Sequence, residues 1–235
     1  MTTGFGGFPP QAITFFRGLR RHNRREWFTP RKQIFLDAVR APMEALVTAL
    51  NADLIRYAPD YVTDPDKAIY RFYRDTRFSE DKTPYKNHIA AIFPRRGTVK
   101  HRAAGYYFSV SDQEIEVAGG LYMPQQEELA AVRRHLAGNH AEFGKIVADR
   151  VLRKVMGELE GDRLSRVPTG FSSEHPAASL LKYKQLYFFR MLDPALLTTP
   201  SLFTEIVMRF RALTPFVEFL NRPLAPGRTS RSCSI

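Results

Sequence analysis

The stretch GYYFSVSDQEIEVAGG, residues 105–120, decides the fold. Gly105–Val110 and Glu114–Ala118 are short runs dense in aromatic and β-branched residues, side chains that suit a pleated, half-buried surface. Ser111-Asp112-Gln113 joins them, and a connection that short cannot cross over to a parallel partner, so the two runs form an antiparallel hairpin. Gly119-Gly120 then reads as the end of the sheet. Working outward, Ile69–Arg74, Asn87–Phe93 and Lys184–Met191 have the same strand character. Sequential connections make a mostly antiparallel sheet of about five strands the simplest topology.

The flanking segments switch to helical spacing. Pro10–Arg21 puts Ile13, Phe16 and Leu19 on one side, and Asn23 with Glu26 reads as a capping box ahead of Trp27 and Phe28. Thr29-Pro30 opens a long amphipathic stretch to Leu54, with Pro42 predicting a kink or break near Arg40. Beyond the sheet, Pro124 opens a helix stopped at Gly138, Asn139 and Glu142 look like a second capping box, and Thr199-Pro200 begins a closing helix disturbed at Pro215. The expectation is an α+β fold. Residues 8–221 form a single domain flanked by N-terminal, middle and C-terminal helices, residues 1–7 are flexible, and 222–235 are a disordered basic tail.

At 235 residues and 44% hydrophobic content, a core can form without staples, and disorder is excluded as the main state. The single cysteine, Cys233, excludes an internal disulfide framework and a zinc site of paired thiolates. No apolar run approaches the ~20 residues that span a bilayer, and Met1–Phe8 lacks the order of a signal peptide, so no membrane partner and a cytoplasmic address are expected. P-loop, H-E-x-x-H and G-x-S-x-G patterns are missing, so the corresponding ATPase, metalloprotease and hydrolase readings have no motif. No cofactor or metal is expected. Asp64-Pro65-Asp66 has metal-pair spacing but reads first as a surface turn.

The net charge of +11 is concentrated: Lys67–Arg102 carries ten Lys/Arg against three carboxylates, and Arg17–Lys32 carries seven against one. Such excess suggests an anionic partner. Its densest part is IYRFYRDTRFSEDKTPYKNH, residues 69–88. Alternation puts Arg71, Tyr73, Asp75 and Arg77 on one polar face and Tyr70, Phe72, Arg74 and Thr76 on the other. A bend after Asp75, helped by Ser79-Glu80-Asp81, would return Lys82, Tyr85, Lys86 and His88 beside the first arm. Arg71, Arg74, Arg77, Lys82, Tyr85, Lys86 and His88 are therefore the candidate ligand-binding residues. Guanidinium forks and an ammonium suit phosphate, while His88, Tyr85 and Asp75 are the candidates for proton transfer. A network in which the arginines pair with Asp75 and Asp81 and brace the loop would be equally dense and do no chemistry.

The run Arg71-x-x-Arg74-Asp75-x-Arg77-Phe78 with Asp81-Lys82-Thr83-Pro84-Tyr85-Lys86 resembles the signature of DUF2461, a family of bacterial and fungal proteins of about this size and of unknown function. Matching pieces are Asn23-x-x-Glu26-Trp27-Phe28, Gly105-Tyr106-Tyr107, Gly119-Gly120-Leu121-Tyr122-x-Pro124, Pro168-x-Gly170-Phe171 and His175-Pro176, so the resemblance covers roughly residues 8 to 222. Where such proteins usually read Asn-Asn before Arg-Glu-Trp-Phe, this chain has His22-Asn23-Arg24. The resemblance implies membership and no activity. The functional expectation is a cationic cleft for a phosphate-bearing small molecule, with phosphoryl or nucleotide chemistry if it is an enzyme. The alternative is a non-enzymatic nucleic-acid-binding or protein-interaction module. Oligomeric state is left open.

Overall fold

Four strands carry the sheet: β1 (Ile89–Phe93), β2 (Gly105–Val110), β3 (Ile115–Leu121) and β4 (Leu186–Leu192), antiparallel in the order β1-β2-β3-β4. The computed structural model describes residues 5–77, 79–98 and 102–224, so Phe78, Lys100, Cys233, the first four residues and the expected tail beyond Leu224 lie outside the description. Helices surround the sheet in sequence: α1 (Pro10–Arg21), α2 (Arg25–Phe28), α3 (Lys32–Phe35), α4 (Ala41–Leu54), α5 (Pro65–Ala68), α6 (Gln126–Gly138), α7 (His140–Val147), α8 (Arg150–Met156), α9 (Ala178–Leu181) and α10 (Ser201–Asn221).

The expected first strand is not one. Ile69 and Tyr73 make single antiparallel bridges to Ala91 and Tyr85, so the three residues between them on one arm face five on the other. The two extra residues fall where the backbone bends at Asn87 and His88, and they interrupt the ladder. This is why five expected strands become four. Gly119-Gly120 also does not end the sheet. Both glycines lie inside β3, and Gly120 (φ +135°) lets β4 come so close that a Cβ there would sit 2.4 Å from the Leu186 carbonyl oxygen.

The residues gather into two compact units, each drawn from three stretches of chain: Met1–Phe93, Tyr107–Val117 and Met191–Met208 in one; Pro94–Tyr106, Ala118–Arg190 and Arg209–Ile235 in the other. In the first unit the core is aromatic. Phe15 packs within 5.7 to 6.4 Å of Trp27, Phe28, Phe35 and Phe72. Pro42, which lacks an N–H for the helix ladder, is preceded by a π turn at Leu36–Arg40, the break expected there. In the second unit Tyr106 rests on Phe210, and its hydroxyl donates to Thr214 Oγ1 at 3.0 Å. Thr214 Oγ1 in turn bonds the Phe210 carbonyl, one residue before Pro215, and α10 runs on through the proline.

Three asparagines use their amides in one recurring way. Asn23 clamps the N–H and C=O of Tyr85, Asn51 those of Thr63, and Asn221 those of Ala104, at 2.7 to 3.1 Å. Each amide presents a donor and an acceptor side by side, as a neighbouring strand would. Both expected capping boxes therefore fail. Arg24, not Asn23, precedes α2, and Asn139 bonds back to the His135 carbonyl at 2.8 Å instead of capping α7.

Candidate functional site

The arm from Ile69 to Ala91 lies in the first unit and is built by backbone pairing. Tyr70 N–H donates to Ala90, Lys86 N–H to Phe72 and Arg74 N–H to Pro84, at 2.9 to 3.0 Å, which fixes a turn between Arg74 and Pro84. Exposure alternates as the spacing predicts: Arg71, Tyr73, Asp75 and Arg77 are exposed, whereas Phe72 is buried and Tyr70, Arg74 and Thr76 are half-buried.

Within the turn the cations meet carboxylates. Arg77 grips Asp75 through Nε at 3.0 Å and Nη2 at 2.8 Å, while Arg71 Nη2 stands 3.7 Å from the same carboxylate. Arg74 pairs with Asp81 and bonds Thr83 Oγ1 at 2.6 Å, and Asp81 also accepts the Thr83 N–H at 2.9 Å. Lys82 Nζ donates to the Thr76 carbonyl at 2.9 Å. The bond from the Arg77 side chain, then its backbone N–H, holds the Asp75 carboxyl at about 2, and the Thr83 N–H followed by Arg74 does the same for Asp81. Both candidate arginine faces thus carry built-in counter-charge, with Asp75 divided between two guanidinium groups.

Tyr85 is placed differently. Its ring is 3% exposed and stacked on Phe28 at 4.2 Å between centroids, with Tyr73 at 5.2 Å and Phe72 at 6.0 Å. Burial pushes its phenol up. Its backbone is what the surrounding surface uses. The Asn23 clamp, extended by a 3.1 Å bond from Asn23 to Asn87, fastens the end of the N-terminal basic segment to the return arm. Exposed Arg24 and Arg25 follow directly.

Lys86 and His88 belong to a second cluster, half-buried beside β2 and β3. Lys86 Nζ lies 5.0 Å from the centre of the Tyr70 ring, and Tyr70 is 6.4 Å from Tyr107. Burial, with Tyr107 adding to it, pushes the Tyr70 phenol up to about 12. Burial pushes the His88 imidazole down, Lys86 adds to that and Glu114 opposes it, and burial with Glu114 pushes the Glu116 carboxyl up. Reading the sequence missed Tyr70, Tyr107, Glu114 and Glu116. The signal was present in the hairpin, where Tyr107 alternates with buried Tyr106 and Phe108, and Glu116 with Ile115 and Val117. Chemically the cluster sets an imidazole held below its ordinary range beside an ammonium and a carboxyl held above its own.

Other candidates have structural partners. Asp64 caps α5 by accepting the Asp66 N–H at 2.9 Å, and Asp66 pairs with Arg40 at 2.8 Å. Among the described residues no group of three or more His, Cys, Asp or Glu is arranged to hold a metal. The Pro168–Phe171 loop and His175-Pro176 belong to the second unit. Trp27 packs against Phe15 at 5.7 Å, with the Arg31 guanidinium 4.6 Å over its ring. No described helix is long and apolar enough to cross a membrane.

A family model described as "Conserved hypothetical protein (DUF2461)" matches residues 11–219, from the second residue of α1 almost to the end of α10. The chain belongs to the DUF2461 family. No curated protein and no solved structure matches it. The DUF2461 match takes in the Arg71–Lys86 run, Asn23 and Gly119-Gly120, so the clamp, the turn and the close strand approach all fall within the family region.

Proposed function

We propose that the protein binds a phosphate-bearing small molecule on the basic surface around the Arg71–His88 arm. The observation that carries this reading is a shortage of carboxylate at an exposed place. Four Lys/Arg from Arg71 to Lys82 share that stretch with Asp75, Glu80 and Asp81, and Asp75 serves both Arg71 and Arg77, whose side chains are 68% and 77% exposed. Lys82 leans on a neutral carbonyl, and the Asn23 clamp adds Arg24 and Arg25 nearby. Guanidinium groups already oriented by a shared acid lose little rotamer freedom when a phosphate joins that acid beside them. His88, kept neutral by burial and by Lys86, supplies a proton acceptor next to the ammonium.

Calorimetric titration with inorganic phosphate and with adenosine diphosphate at low salt tests the reading. Binding to the wild-type chain should weaken about tenfold or more in Arg77→Ala with Lys86→Ala, with the thermal midpoint nearly unchanged. A large loss of thermal stability with no binding to the wild type would assign the arm to bracing instead. Binding of a single-stranded oligonucleotide that falls steeply with salt, with none of the diphosphate, would replace the small molecule by a nucleic-acid backbone.

A further inference from the structure

The second unit contains a cavity of about 370 Å³ that has no part in the basic arm. Its construction starts at Gly161, whose φ of +140° lets the segment after α8 lie against the chain leading into β4. A Cβ there would be 2.0 Å from the Gln185 carbonyl oxygen. Bridges from Glu160 to Tyr187 and from Arg163 to Tyr183 hold the two segments together. This pairing brings the Arg163 guanidinium carbon over the Tyr183 ring, 4.3 Å from its centre, with Nη2 donating to the Tyr183 hydroxyl. That hydroxyl donates in turn to the Leu159 carbonyl, and the Tyr183 ring is 3% exposed. Arg163 is thus a fixed cation at the cavity wall, paired with no carboxylate among the described residues.

The other walls are Val147, Leu159 and Leu180, and the remaining charges are Arg153 and Glu158, which satisfy one another through Arg153 Nε and Nη2 on Glu158 Oε1. The cavity therefore presents one unbalanced positive charge, planar and pre-oriented, against an apolar surface. The volume is at the small end for ligand sites. The geometry points to a binding site for a small organic monocarboxylate whose apolar body lies on Val147, Leu159 and Leu180 and whose carboxylate meets Arg163. A planar carboxylate matches a guanidinium edge, and Glu158 at the same opening opposes a second negative charge, which disfavours a phosphate dianion.

Benzoate, with benzamide as its neutral isostere, is the probe. Titrated into the full-length isotopically labelled protein, benzoate should produce saturable shifts at Val147, Leu159, Leu180 and Tyr183, and benzamide should bind at least about tenfold more weakly. Arg163→Gln, which removes the charge, and Ala148→Trp, which fills the opening from an exposed position, should each cost about tenfold or more. Ala148→Trp keeps the test decisive if Arg163→Gln fails to fold. Shifts scattered over the surface, equal binding of benzamide, wild-type affinity in Ala148→Trp, or no benzoate binding would each overturn the site.

Discussion

One side-chain amide, Asn23, holds together what a strand would otherwise have to hold. Its two bonds to Tyr85 and a third to Asn87 secure the return arm at a place where the ladder to Ile69–Tyr73 is already broken. Asn23→Ala should lower stability by about 1–3 kcal/mol in denaturant unfolding, because the partly buried Tyr85 N–H and C=O lose their partners. Asn23→Asp keeps the acceptor and should recover part of the loss. A change of less than about 0.5 kcal/mol in Asn23→Ala would mean that water substitutes freely for the amide. The residue was conspicuous in the sequence for the wrong reason. Asn-x-x-Glu has true cap spacing, and the local pattern carries no trace of a partner 62 positions away. Tyr85 is the converse case: as a phenol beside Lys86 it looked like a site residue, and stacking on Phe28 puts its ring in the core instead.

At the scale of elements, strands and helices with strong periodicity were legible, and their limits were set by contacts the pattern does not contain. The hairpin of β2 and β3 was found from its connector, and β4 to within two residues at its start. β3 runs past its expected end because Gly119-Gly120 serves close packing and not termination. Gly120→Ala should therefore be severe: strain at φ +135° adds to a collision with the Leu186 backbone, for a cost of about 1–3 kcal/mol or more. Hydrogen exchange should locate the damage in β4, where the Phe188 amide should lose protection more than amides in α1. Uniform loss would argue against a local collision. Pro42 and Pro215 carry the same lesson in helices. One follows a π turn, and the other is passed without a break beside a Thr214–Phe210 bond.

For the whole molecule, the excess of positive charge makes acid the revealing stress. Asp75 and Asp81 are held at about 2 against an ordinary 3.8, so the unfolded chain takes up those protons first. Their contribution is complete above about pH 4 and is lost as pH falls toward 2. His88, also depressed, acts in the same direction below its ordinary 6.5, whereas Glu116, which is raised, acts oppositely. Exchange mass spectrometry across this range should show peptides covering residues 71–86 opening between pH 4 and 2, earlier than peptides from α10. An arm that stays protected at pH 2 would show that the ion pairs are not what orders it.

The way each unit is assembled from three separate stretches also governs how the protein can be made. Each unit still lacks its part of α10, which begins in the first and ends in the second, when the ribosome has delivered everything before that helix. Neither can close before α10 is made, so the nascent chain must wait, with most of its sheet already translated, for that helix. A premature stop anywhere before α10 would leave two incomplete cores, which makes the closing helix the step that commits the polypeptide to its native state.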